Sequence, residues 1–330
     1  MTALPRLTIG LPVHNGEVHL AESFDALLGQ TYGDFSLVVS DNASTDGTGE
    51  ICREYASRDP RITYIRQVRN IGAAPNHNLL VAMTTTELFK WASHDDLYAR
   101  DLLTRCVAAL DAYPHVVLAH AEQAVIDSDR RVTHVVRYPH RTGSRAPSER
   151  YRSMLFEPGG DDFYGVLRTD VLSKVTPHGS HHHADRTFMA ELSLFGAFHQ
   201  VPEILYFRRD HPARAERANP TPAARCANLD PRRAGQSDAR LRAECALGFL
   251  HGIRRAPLSS AERRRCLAAL ASWGVARMRP RPGGGLWSPA HGDELASLVR
   301  RTVAGAASRP GYAGVPPTAD VCATSEGETR

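Results

Sequence analysis

Apolar residues recur along the chain as short buried-strand runs separated by stretches with helical spacing. Residues 7–11 read as a strand, and Pro12, His14, Asn15 and Gly16 break it. Leu20, Phe24, Leu27 and Leu28 then recur at helical spacing, and residues 35–40 form an apolar run of the buried parallel-strand kind. A helix over about 48–57, a strand over 62–65, a helix near 76–83 and a strand over 87–92 repeat the pattern. Alternating units of this sort predict an α/β fold with a doubly wound, mostly parallel central sheet.

Farther on the regularity weakens. Leu102, Leu103, Cys106, Val107 and Leu110 predict a helix, residues 116–120 and 123–127 two strands, and 128–131 a turn. A Pro/Gly-rich stretch near 157–160, a helix over about 185–195 and a last strand over 201–207 close the compact part, which ends near Pro212. Its halves divide at residue 98. Residues 213–236, rich in Pro, Arg, Ala and Asn, predict a linker, followed by a helical extension over 237–309 and a frayed tail over 310–330.

Composition narrows the class. With 330 residues, 42% hydrophobic and 23% charged, the chain can bury a sizeable core, which excludes a fibre or a disordered chain. A net charge of +4 is too small a surplus to point to nucleic acid, so an anionic partner should be small. All but two of the 40 basic residues are arginine, which favours forked recognition of carboxylate or phosphate. No apolar run approaches the roughly 20 residues of a bilayer crossing, and the start lacks a signal-peptide layout. A cytoplasmic location follows, free or peripheral at the inner membrane face. The six cysteines lie far apart and read as reduced structural thiols.

Candidate chemistry gathers at the carboxyl ends of the predicted strands, where ligands collect in doubly wound sheets. His14 and Asn15 follow the first strand, Asp41 to Thr48 the second, and Ser93, His94, Asp95 and Asp96 the fourth. In the second cluster Thr45 and Asp46 suit helix capping, which leaves Asp41 to accept a base imide hydrogen or ribose hydroxyls. Adjacent carboxylates at 95 and 96 repel each other, so a divalent cation bridging a pyrophosphate, or a capped helix, must offset them.

These residues resemble glycosyltransferase family 2, inverting enzymes with the GT-A fold. Pro12-Val13-His14-Asn15, Gln30-Thr31-Tyr32, Asp41 through Thr48, Arg69-Asn70-Ile71-Gly72 and His94-Asp95-Asp96 occur in that family's order, covering about residues 5–210. The resemblance implies a GT-A-type nucleotide-binding sandwich, with residues 1–98 as the nucleotide-sugar half and 99–212 as the acceptor side. It further implies a nucleotide diphosphate sugar donor, UDP-linked, held by Pro12, His14, Asn15, Asp41, Asn42, Asn70, Gly72, His94 and Asp95. Mn2+ or Mg2+ would be bound by Asp96 and His211. Asp185 matches the family's general base, although a lone Asp before an apolar helix also reads as an N-cap. Ser93 stands where an acidic residue is common, His14 replaces a tyrosine, and His77 an arginine.

The membrane spans and Gln-x-x-Arg-Trp motif of processive synthases are absent from the sequence, which favours single transfers to a discrete hydroxyl acceptor in glycan, glycolipid or natural-product biosynthesis. A nucleotidyltransferase and a non-catalytic nucleotide-sugar-binding protein are the alternatives. The first would want a Gly-rich loop with a basic residue, which residues 11–16 lack. The basic C-terminal helices leave open peripheral membrane contact or pairing with a second copy. His181 to His183 are too close together to share one metal ion from regular structure.

Overall fold

The computed structural model describes residues 4–136, 141–157, 161–181, 183–278 and 288–289; the segment expected to be a frayed tail, 310–330, lies outside them. Its first half alternates as the apolar periodicity requires: β1 (Leu7–Val13), α1 (Leu20–Leu28), β2 (Phe35–Asp41), α2 (Thr48–Arg58), β3 (Ile62–Arg66), α3 (Ala73–Ala82) and β4 (Leu88–Trp91). The four strands lie in the order β3-β2-β1-β4, all parallel. β1 is buried along nearly its whole length, as a strand covered on both faces must be. Because the strands run parallel, the loops leaving their carboxyl ends emerge on one edge.

The second half is mixed. It contains β5 (Leu97–Tyr98), α4 (Leu102–Ala112), β6 (Val116–Ile126), β7 (Val132–Val136), α5 (Pro147–Phe156), β8 (Val166–Arg168), α6 (Thr169–Leu172), α7 (Ala184–Phe195) and β9 (Ala197–Arg209). β8 runs antiparallel between β4 and β6, and β9 runs parallel to β6 and antiparallel to β5. The two strands expected over 116–120 and 123–127 are one continuous strand. The polar interruption at Glu122 survives as a bulge, where the register against β9 shifts on both sides of that residue. β7 has a half-buried pattern and escaped the hydrophobic periodicity.

Residues 213–236, expected as a linker, carry α8 (Ala215–Ala218), α9 (Pro222–Leu229) and a 3-10 turn, Pro231–Arg233. This segment packs against Gly72 at the start of α3. Gly72 has φ +90°, and an added Cβ would lie 2.6 Å from the Leu229 carbonyl oxygen. Gly72→Ala should therefore destabilise the protein by more than about 1 kcal/mol, read as a lower urea midpoint; an unchanged midpoint would show that the contact is slack.

The chain continues as α10 (Asp238–Arg255), α11 (Ser260–Met278) and a short β10 (Ser288–Pro289) paired with β7. α10 packs on α7 and α11 on α5, and Phe249, Ile253 and Cys266 are buried there. Among the described residues, five cysteines are buried thiols and no helix is long and apolar enough to cross a membrane.

Candidate active site at the carboxyl edge of the sheet

The loops after β1, β2 and β3 are tied together by side chains that the sequence singled out. Asn15, in the left-handed region at φ 53°, donates its backbone N–H to Ser44 Oγ (2.9 Å), and its Oδ1 accepts the Thr45 N–H (2.8 Å). Asn42 Nδ2 donates to Asn70 Oδ1 (2.9 Å), while Asn42 Oδ1 accepts the Ile71 N–H (2.8 Å). Asn70 Nδ2 lies 3.3 Å from His14 Nε2, so His14, Asn70 and Asn42 form one chain across three loops. His14 is exposed on the rim, and Pro12 lies in β1 opposite Ser40. The Gly72 N–H also donates to Asn70 Oδ1 (2.8 Å), while the place of its missing side chain faces the 229–231 segment.

Asp41 ends β2 fully buried. Its Oδ1 accepts the Ser44 N–H (2.8 Å), and its Oδ2 accepts from Tyr64 Oη and Arg66 Nη1, both at 2.8 Å. The carboxylate thus anchors the 42–45 turn and the end of β3. Burial opposes its ionisation, but the Ser44 and Tyr64 hydrogen bonds and the Arg66 charge hold it below the usual carboxylate range. A depressed folded-state pKa contributes stability that is complete above the unfolded value, about 3.9, and is lost as pH falls through the folded one. Asp41→Asn should therefore lower the melting temperature at pH 6, with the gap closing toward pH 3; a gap independent of pH would count against the ionised anchor. Neither expected cap holds the N-cap position of α2, which is Gly47: Asp46 Oδ1 accepts the Thr48 N–H (3.1 Å) from one residue farther out, and Thr45 Oγ1 turns to Asn15 Oδ1 (3.4 Å).

The pair at 95 and 96 divides its labour. Asp96 is fully buried: its Oδ1 accepts the Arg209 N–H (2.8 Å) and its Oδ2 accepts from Tyr206 Oη. Asp95 accepts from Ser93 Oγ at one oxygen, and its Oδ2 lies 2.9 Å from His211 Nε2. Burial and the Asp95 charge raise the Asp96 pKa. Asp95 is held low despite its burial, by His94, His211 and Arg214. The cation expected to offset the two carboxylates is in part the chain's own. Arg214 Nη1 stands 3.5 Å from Asp96 Oδ1 and 3.9 Å from Asp95 Oδ2. His19 meets the His211 ring edge-on at 4.8 Å. His94 packs over Gly16, where a Cβ would lie 2.6 Å from its ring, so the loop after β4 touches the loop after β1.

Further side chains support this edge, and of them only Lys90 was given no role from the sequence. Arg209 is 1% exposed and binds the Asp95 carbonyl oxygen (2.8 Å) and Glu22 Oε2 (2.6 Å). Alternation along β9 admits one of Arg208 and Arg209 to this side, and it is Arg209 that enters. Lys90 is fully buried, with Nζ donating to the Tyr164 carbonyl oxygen and lying 5.2 Å from the Tyr98 ring; burial pushes its pKa down to about 8. A lysine within an apolar strand, in a chain with only two, was a usable signal. Gln30, in the motif shared with the family, is structural: its Nε2 donates to the Ala99 carbonyl oxygen (2.8 Å) and its Oε1 accepts the Leu103 N–H (3.0 Å). His77 is half-buried, with Nδ1 2.7 Å from the Ala73 carbonyl oxygen and its ring near Trp91.

Asp185 lies in the first turn of α7. The N-cap position is His183, in the left-handed region at φ 57°, so Asp185 is not the cap. Phe188, three residues on, meets Trp91 edge-on at 5.5 Å. Trp91 ends β4, two residues before Ser93, so the α7 amino terminus packs beside the strand that delivers Asp95.

A family model described as Glycosyl transferase family 2 matches residues 8–174, just over half of the chain. Glycosyltransferase GlyA of Streptococcus pneumoniae serotype 4 is 33% identical over 96 residues, 29% of this chain and 14% of that protein. The putative glycosyltransferase EpsE of Bacillus subtilis is 30% identical over 128 residues, 38% of this chain and 46% of that one. The chain thus spans less than half the length of these relatives. The structure of S. aureus TarS 1-349 in complex with UDP-GlcNAc superposes with a TM-score of 0.62 at 16% identity, covering 82% of this chain and 73% of that chain, a likeness of fold. With a parallel sheet that sets its polar loops on one edge and a family match over half its length, the chain belongs to glycosyl transferase family 2, on a GT-A-type α/β fold.

Proposed function

We propose that the protein catalyses inverting, non-processive transfer of a sugar from a UDP-linked donor to a discrete hydroxyl acceptor. The observation that carries this reading is the joining of the loops after β1, β2 and β3 by His14, Asn70, Asn42 and Asn15, with the loop of Asp95 touching them through Gly16. In this reading that polar rim receives the nucleotide, and Asp185 accepts the proton of the acceptor hydroxyl as it attacks the anomeric carbon. The UDP-GlcNAc bound to TarS supports the choice of a uridine donor.

Among the described residues no three His, Cys, Asp or Glu side chains stand together as a ready metal site, so a divalent ion would rest on two protein ligands and take its others from water and the diphosphate. Two cis ligands about 2.1 Å from an octahedral ion stand about 3 Å apart, and Asp95 Oδ2 and His211 Nε2 are 2.9 Å apart. Asp96, expected from the sequence as a ligand, has both oxygens engaged by Tyr206 and Arg209, so its role becomes support of β9 and the Asp95 loop. Mn2+ or Mg2+ bound by Asp95 and His211 would offset charge on the leaving diphosphate. Arg214 already supplies positive charge beside the same carboxylates.

The test is a panel of nucleotide sugars with manganese, read by thermal shift. A donor at 100 times its dissociation constant stabilises the folded form by about 2.7 kcal/mol, so a UDP-linked sugar should raise the melting temperature clearly. No shift with any UDP-linked sugar would overturn the donor assignment.

A further inference from the structure

A cavity of about 360 Å³ opens where α7, the segment 176–181 and α10 meet. That volume suits a small organic molecule. It is lined on α7 by Ala184, Thr187 and Phe188, the neighbours of Asp185, and on α10 by Leu247, Gly248 and His251, and all of its lining lies beyond the family-matched segment. The walls are apolar, with Phe188 on one side and Leu247, 61% exposed, at the opening.

The polar groups of the lining are not equivalent. Glu191, in the lining, is 4% exposed, and its Oε1 accepts the Thr176 N–H (3.1 Å) and stands 3.4 Å from Arg255 Nε, so its charge is matched within the protein. Thr176 Oγ1 is buried with no hydrogen-bond partner among the described residues. A ligand group that reached this hydroxyl would supply its missing partner. His251 and Arg254 supply the basic side of the lining. Gly248 keeps α10 close: a Cβ there would lie 3.2 Å from His181 Nε2.

We propose that this cavity binds the non-sugar part of the acceptor, an apolar ring or short chain carrying an anionic group. The apolar part lies between Phe188 and Leu247, a polar atom pairs with Thr176, and the anion meets His251 and Arg254. Calling the ligand an acceptor rests on the glycosyltransferase reading above; the binding itself does not.

Calorimetry on the full chain without donor tests it, using 4-phenylbutyrate and phenyl phosphate as probes, with 4-phenylbutanol and inorganic phosphate as controls. The two amphipathic anions should bind at least about tenfold more tightly than either control, a difference of about 1.4 kcal/mol. Arg254→Glu and the exposed-site variant Leu247→Glu should each weaken probe binding about tenfold while leaving the melting temperature and the UDP-induced shift unchanged. Asp185→Asn should bind the probes as the native protein does. Equal binding of 4-phenylbutanol, or probe affinity unmoved by both variants, overturns the proposal even if UDP binding and the requirement for Asp185 hold. Failure of the donor test with probe binding intact removes only the acceptor assignment.

Discussion

Asp185→Asn is expected to reduce sugar transfer by about a hundredfold to ten-thousandfold, the usual worth of a positioned general base. Donor binding should persist, because the rim proposed to receive the nucleotide is built from the loops after β1 to β4 and not from α7. The fold should also persist. Asp185 is not the N-cap of α7, and the amide keeps the size of the side chain and one hydrogen-bonding oxygen. Amide replacement keeps the shape and removes the proton acceptor, so kcat should fall while the UDP-induced thermal shift remains. Transfer within tenfold of the native rate would assign the proton to another group.

Trp91→Ala should produce the largest loss of stability among single changes near the site, about 3–5 kcal/mol. The indole is 1% exposed and stacks on Phe163 at 4.3 Å with an interplanar angle of 10°. Phe89 and Phe188 meet it edge-on at 4.9 and 5.5 Å, and its Nε1–H donates to the His77 carbonyl oxygen (3.2 Å). Truncation opens a cavity between β4 and α7, the elements that carry Asp95 and Asp185, so transfer should fall along with the urea midpoint. Trp91→Phe keeps an aromatic face and loses the indole hydrogen bond, and should cost about 1 kcal/mol. A midpoint for the alanine variant within 1 kcal/mol of the native protein would mean that the cluster repacks around the gap.

The parallel half of the fold was legible because both of its signals are local. Strands buried on both faces need unbroken apolar runs such as Phe35 to Ser40, and helices laid on them need an apolar stripe such as Leu20, Phe24 and Leu27. β6 and the 213–236 segment were not legible, for one reason. Glu122 sits in a strand whose continuity depends on β9, some eighty residues away, and α9 is seated against Gly72, whose role depends on its neighbours at 229–231. Hydrophobic periodicity contains no term for a partner so distant in sequence.

The same division runs through the site. Sequence alone determined which polar residues reach the carboxyl edge, since strand ends and turn formers such as Asn15, Asp41 and Asp95 are set by local pattern. Tertiary structure decided what each carboxylate does. Asp41 became an anchor because Tyr64 and Arg66 arrive from β3, Asp96 because Tyr206 and Arg209 arrive from β9, and Asp95 kept a ligand-like neighbour because His211 follows that strand. A carboxylate's chemistry is set by the donors that reach it in a medium of low dielectric, and those donors come from parts of the chain that only folding brings near.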